Sequence, residues 1–218
     1  EYEHALVGSA YNELRNIDDY RKFIATATKN NIFVHALDGY KEYALKTHHP
    51  QVYAQVTALI EFNKTSKEDE QFYAIHHDNE PYLIENFEAD KSRILSEYLE
   101  LCETIMKMLK EANSNMKYGV DIPFWYEELN EKGEYSTDVM FNGKQQPASY
   151  HIIDLVDNIG IMDYRNFAQG ADGIIAHGLD EIKYGVQANK EIWIGLETFN
   201  VDPPKITFYG KTDAELLK

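Results

Sequence analysis

Short apolar runs and longer amphipathic stretches alternate along nearly the whole chain, and this rhythm restricts the possible folds more than any other feature. Residues 4–11, 31–39, 71–81, 117–126, 158–165, 190–200 and 205–210 read as strands. Between them, residues 16–31 place Ile17, Tyr20, Phe23 and Ile24 at helical spacing. Residues 50–66 line up Val52, Val56, Leu59, Ile60 and Asn63 on one helical face behind Pro50, a residue suited to a first turn. Residues 89–113 predict a longer helix with Asp90 near its start and lysines near its end, as the helix dipole prefers. Residues 149–157 and 178–189 predict two more, and another begins after Thr212. Residues 134–149 read as an inserted hairpin turning at Asn142-Gly143. Helices between strands imply a parallel sheet, because parallel neighbours need a long crossover that a tight turn cannot supply.

Such a sheet is either open and doubly wound or closed as a (β/α)8 barrel of TIM type. An open nucleotide-binding sheet would carry a glycine-rich phosphate loop; "GADG" at 170–173 lacks both the P-loop lysine and the dinucleotide spacing. The barrel is therefore expected, with no cofactor. Seven strands are legible where the barrel needs eight, and 218 residues are fewer than the ~250 typical of that fold, so either the first strand and last helix are expected to fall outside the chain or one of its strands has gone unread. With 44% hydrophobic residues and no linker-like stretch, residues 1–218 read as a single domain able to bury a core. A formal charge of -16 repels nucleic-acid phosphates and anionic lipid headgroups, so nucleic acid is excluded as an expected partner. Cys102 falls at helical spacing from Leu99 and Met106 and reads as core, and a lone cysteine cannot form an internal disulfide. No run approaches the ~20 apolar residues of a membrane span. An extracellular or cell-surface location is expected, with any signal peptide lying outside this sequence.

The strand ends carry the chemistry. Asp38 closes "HALD", Asp78 and Glu80 follow "AIHH", and Asp121, Asp163 and Glu197 stand at or just past the next three ends. Any one of these suits an ordinary turn. A carboxylate at five successive exits instead suggests one mouth, because a parallel barrel gathers all its C-terminal strand ends on one face. Tyr82, Trp125, Tyr126, Tyr164 and Phe199 lie beside the acids, and flat rings among carboxylates suit a sugar, with hydroxyls at its edge and C–H bonds on its faces. His76 and His77 are adjacent in a strand and so face opposite ways. With His35 and Asp38, one of them could belong to a metal-dependent hydrolase or deacetylase. The H-x-H and H-E-x-x-H spacings of such sites are missing, so no metal is expected; His35 and His76 read as hydrogen-bonding or core residues, and His48 and His49 as solvated loop.

Taken together, "FYAIHHDNEPY", "GVDIPFWY", "DNIGIMDYR", "GADGIIAHG" and "IWIGLETF" resemble a group of poorly characterised bacterial barrel proteins related to glycoside hydrolases. Two glycosidase patterns overlap these positions. Asn79-Glu80 and Glu197 are similar to the clan of retaining enzymes with an acid/base Glu after strand four and a nucleophile Glu after strand seven. Asp78-Asn79-Glu80 is similar to the end of the D-x-x-D-x-D-x-E signature of family-18 chitinase-like barrels, and Met162-Asp163-Tyr164 to their Met-x-Tyr. Tyr73 and His76 replace the earlier aspartates of that signature, and Arg165 replaces the Asp after its tyrosine. The resemblance implies Glu80 as proton donor, Glu197 as nucleophile or stabiliser and Asp78 as the group tuning Glu80. Asp38, Asp121, Trp125, Asp163, Tyr164, Arg165 and Tyr82 would line carbohydrate subsites, with Arg165 able to clamp an acidic sugar. A barrel that binds carbohydrate or a protein without turnover is the alternative.

Overall fold

The computed structural model describes residues 15–216, and the strand expected at 4–11 lies outside them. The chain divides between Val120 and Asp121 into two compact units. The first contains α1 (Ile17–Lys29), β1 (His35–Asp38), α2 (His49–Thr65), β2 (Ala74–His77) and α3 (Phe87–Glu111), and β3 (Lys117–Pro123) runs across the division. β1 pairs in parallel with β2, and β2 with β3, so that His35, Ala74 and Lys117 stand in register. All four residues of β2 are buried, as befits a strand with neighbours on both edges and cover on its faces.

The stripes of α2 and α3 do what their spacing predicts, whereas α1 buries Ile24 but leaves Ile17 and Phe23 exposed. Val52, Val56, Leu59 and Ile60 of α2 and Ile94, Leu95, Leu99, Cys102 and Ile105 of α3 are buried, together with Ile75, Tyr118 and Val120 of the strands. Each large aliphatic side chain so placed contributes roughly 1.5–3 kcal/mol. Burial pushes the Cys102 thiol up to about 12, so it stays protonated and unreactive. Near the end of α2, buried Asn63 donates from Nδ2 to the Phe72 carbonyl (2.8 Å) and accepts the Phe72 amide at Oδ1 (3.0 Å), which fixes the helix to the approach of β2.

The second unit holds β4 (Asp138–Phe141), β5 (Lys144–Pro147), α4 (Ala148–Leu155), β6 (Asn158–Met162), α5 (Ile174–Ala188), β7 (Glu191–Gly195) and α6 (Asp213–Leu216). β4 and β5 form the expected hairpin, and positive φ at both Asn142 (48°) and Gly143 (78°) gives the turn the twist that antiparallel strands need. β6 and β7 pair in parallel. α5 is built inside out. Its buried residues are Gly178, Glu181 and Gly185, while Ile175, Leu179, Ile182 and Val186 are exposed. The glycines allow close approach to the strands: a Cβ at Gly178 would lie 2.7 Å from Ile194 Cδ1, and one at Gly185 2.4 Å from Ile192 Cγ1.

Two expectations are corrected. Residues 205–210 are not a strand; Pro204–Ile206 is a single 3-10 turn. Pro203 and Pro204 have no amide hydrogen to offer a ladder. The segment is tied instead by isolated bonds from Asn166 Nδ2 to the carbonyls of Pro204 and Thr207 and from the Phe208 amide to the Glu197 carbonyl. His49 is not a solvated loop residue. It begins α2, buried, with its ring nitrogens beside the Ala44 carbonyl (3.4 Å) and the Tyr53 hydroxyl (3.2 Å).

Asn63→Ala should lower unfolding stability by about 2 kcal/mol, because both Phe72 backbone groups lose their partner in a buried position. Urea denaturation checks it; a loss below about 0.5 kcal/mol with an unchanged m value would show that the two bonds do not anchor α2.

Candidate functional site

In the first unit, pairing of β1 with β2 sets two acidic strand exits side by side. The Asp78 amide donates to the Asp38 carbonyl at 3.0 Å. Only glycine fits between them, since a Cβ at Gly39 would lie 2.0 Å from the Asp78 carbonyl oxygen. The Asp38 carboxylate accepts the Gly39 amide (2.8 Å), Gln55 Nε2 of α2 (3.0 Å) and the Tyr43 hydroxyl (3.4 Å), a set of contacts that fixes the loop after β1 to α2. Asn79 is fully buried, with Oδ1 facing the Tyr40 amide at 3.4 Å.

Glu80 stands out. Its backbone is left-handed (φ 38°, ψ 54°), and Pro81 follows immediately to open the 3-10 turn Pro81–Leu83. A residue before proline prefers extended backbone, and a side chain with a Cβ pays ~1–2 kcal/mol for the left-handed region, so the local sequence alone would not choose this conformation. The Tyr82 hydroxyl, carried by that turn, donates to Glu80 Oε1. The carboxyl is thus fixed at the exit, only partly buried, one residue beyond Asn79.

The histidines divide as strand geometry predicts. His77 packs on the helix side, with Nδ1 3.1 Å from the Tyr118 hydroxyl, and burial pushes its pKa down to about 3, which keeps the ring neutral. His76 lies on the other side, its ring 5.8 Å from that of His35. Among the described residues no three His, Cys, Asp or Glu side chains form a group that could hold a metal ion.

In the second unit, Asp121 of β3 is pressed against β6, and a Cβ at Gly160 would lie 2.0 Å from its Oδ1. Asp163, just past β6, is fully buried and takes the Nδ1 hydrogen of His177 at Oδ1 (2.8 Å). Its Oδ2 is also buried and has no hydrogen-bond partner among the described residues. Burial raises the Asp163 pKa, opposed by the His177 hydrogen bond and then by the charges of His177 and Arg165. His177 stacks on Phe124 with centroids 4.0 Å apart, and its Nε2 lies 3.6 Å from Asp172 Oδ1. Arg165 lies over the same Phe124 ring and donates from Nε (2.9 Å) and Nη2 (2.6 Å) to Asp172 and from Nη1 to the Tyr164 carbonyl. Arg165, then Lys205, hold the Asp172 carboxyl well below the usual carboxylate range. Trp125 and Tyr164 are half-buried, and Trp125 sits edge-on to buried Tyr126. Glu197 turns back on its own chain, its Oε1 accepting the amides of Thr198 (2.7 Å) and Phe199 (2.6 Å).

Sequence reasoning missed His177. The signal was available, since a histidine one turn into the helix after β6 falls within reach of an Asp at that strand's end; "GADGIIAHG" entered only as one of the stretches that carry the resemblance, with no role for His177.

No protein-family model matches the sequence, and no curated protein matches it. Solved structures do. The chain is similar to the C-terminal domain of a Desulfitobacterium hafniense DCB-2 protein provisionally assigned as a chitinase (TM-score 0.55, 12% identity, covering 88% of this chain and 56% of that one). It is also similar to the spore cortex-lytic enzyme SleL of Bacillus megaterium QM B1551 (TM-score 0.52, 14% identity, covering 84% of this chain and 41% of that one). The likeness is one of fold alone, and the chain spans about half the length of these structures. Among the described residues no helix is long and apolar enough to cross a membrane.

His177→Ala should destabilise the protein by about 2 kcal/mol near neutral pH, because the Asp163 carboxylate loses its donor in a buried place. Asp163 already binds its proton more tightly folded than unfolded, so its contribution is fully present below the ordinary aspartate pKa and is lost as pH rises through the raised folded value. Removing His177 raises that value further. The penalty should therefore be smaller near pH 4 than near pH 7 in chemical denaturation, and equal penalties would show that ionised Asp163 is not what His177 supports.

Proposed function

We propose that the chain belongs to a single-domain (β/α) barrel that cleaves a glycosidic bond in an extracellular or cell-surface glycan, with Glu80 as the general acid. The observation that carries this reading is the backbone of Glu80, a strained left-handed residue before a proline at a strand exit, whose carboxyl a neighbouring tyrosine fixes. Such conformations cost stability and persist where surrounding structure enforces them, which is characteristic of catalytic positions. Asp78 adjoins it as the tuning group. We assign Glu197 the role of nucleophile or stabiliser, and Asp38, Asp121, Trp125, Asp163, Tyr164, Arg165 and Tyr82 that of substrate contacts. The likeness in fold to SleL and to the Desulfitobacterium domain supports the carbohydrate class.

A second reading, a barrel that binds carbohydrate without cleaving it, is favoured by Glu197. Its Oε1 is occupied by two backbone amides of its own turn, as in a residue that shapes a loop.

Glu80→Gln keeps the shape of the side chain and removes the transferable proton. On a panel of N-acetylglucosamine polymers, peptidoglycan and other glycans, kcat should fall roughly 10²–10⁴-fold with binding retained. Turnover unchanged in the variant would overturn the role of Glu80. Glycan binding with no turnover by the parent protein would establish the second reading.

A further inference from the structure

Glu181 is the middle residue of α5's inward face, between Gly178 and Gly185, and it has no exposed surface. Both of its carboxyl oxygens, and Oε2 of Glu127, are buried without a donor from any other group of the described residues. The two carboxyl groups instead meet each other. Two ionised carboxylates have no hydrogen to share and repel; with one proton between them they form a strong, charge-assisted hydrogen bond.

Among the described residues, the charged groups that act most strongly on the pair are acidic. Glu127 feels Asp180 of α5 and Glu128 of its own turn, both acidic, and Glu181 feels Asp180 as well. From α4 the facing titratable group is Tyr150, which responds to Glu181, Glu127 and Asp180, and also to Tyr135 of the loop before β4. Lys183 of α5 is exposed and paired with Asp180 at 3.1 Å. Burial, then the contact with Glu127, push the Glu181 carboxyl up to about 11, and burial raises Glu127 too.

Glu127 belongs to the turn that follows β3, the segment carrying Trp125. The Glu128 amide donates to the Trp125 carbonyl (3.1 Å), and Tyr126 between them is core. We propose that Glu127 and Glu181 form a proton-operated clasp that holds the Trp125 turn against α5, closed while the pair shares one proton and released when both carboxyls ionise and that proton passes to solvent. The clasp is independent of any reaction at Glu80, and it makes the presentation of Trp125 depend on pH.

Trp125 and Trp193 are the two tryptophans of the chain, so in a Trp193→Phe background Trp125 emission reports the turn alone. Emission is followed from mildly acidic pH to about pH 11, a span that includes the range known for buried carboxyls, with far-ultraviolet circular dichroism recorded alongside. The parent should show an emission transition above neutral pH. Glu181→Gln, whose amide donates to Glu127 at every pH, should lose it. Glu127→Gln gives the same test should the first variant not fold, and should lose the transition too. No transition in the parent, or the same midpoint in a folded glutamine variant, would overturn the clasp.

Discussion

Parallel pairing of strands is the constraint on which the remaining features rest. β1, β2 and β3 run the same way in the first unit, and β6 and β7 do so in the second, so each unit delivers its strand exits at one end. A parallel neighbour can be reached only by a crossover, and the crossovers α2, α3 and α5 bury the faces that the strands expose. Asp38 and Asp78 become neighbours for this reason, although 39 residues lie between them in the chain. The strain at Glu80 is then affordable, because a strand buried on both faces and a proline turn enforce it from either side.

The strand and helix pattern was largely legible from periodicity. The stripe of Val52, Val56, Leu59, Ile60 and Asn63 is buried as read, and Asn142-Gly143 turns the hairpin as its residue types demand. Where the reading failed, a local signal was outweighed by a longer-range one. "KITFYG" has the β-branched and aromatic content of a strand, yet the two prolines before it and the side chain of Asn166 hold it as a turn. His49 looked polar and loop-bound because sequence does not reveal that Tyr53, one helical turn on, waits for its ring.

The acidic exits were legible as positions but not as orientations. Asp38 spends its carboxylate on its own loop and on α2, Asp163 turns inward to His177, and Arg165 is taken up by Asp172. Period-two alternation indicates which face a strand residue occupies, but just past the strand end that rule lapses and the loop decides. The pair Glu127 and Glu181 escaped notice for a related reason. A glutamate flanked by glycines three residues before and four after reads as a solvated helix position unless those glycines are recognised as the inward face.

That inward face gives α5 an unusual kind of hold on its strands. Two glycines and a carboxyl group remove little oily surface from water, so the helix is retained by the closeness of its backbone to Ile192 and Ile194 and by its neighbours' shape. Substitution should accordingly be tolerated in an inverted pattern: bulk is free to change at Ile175, Leu179, Ile182 and Val186, whereas an added methyl at Gly178 would displace the tip of Ile194 and one at Gly185 would press on Ile192 Cγ1.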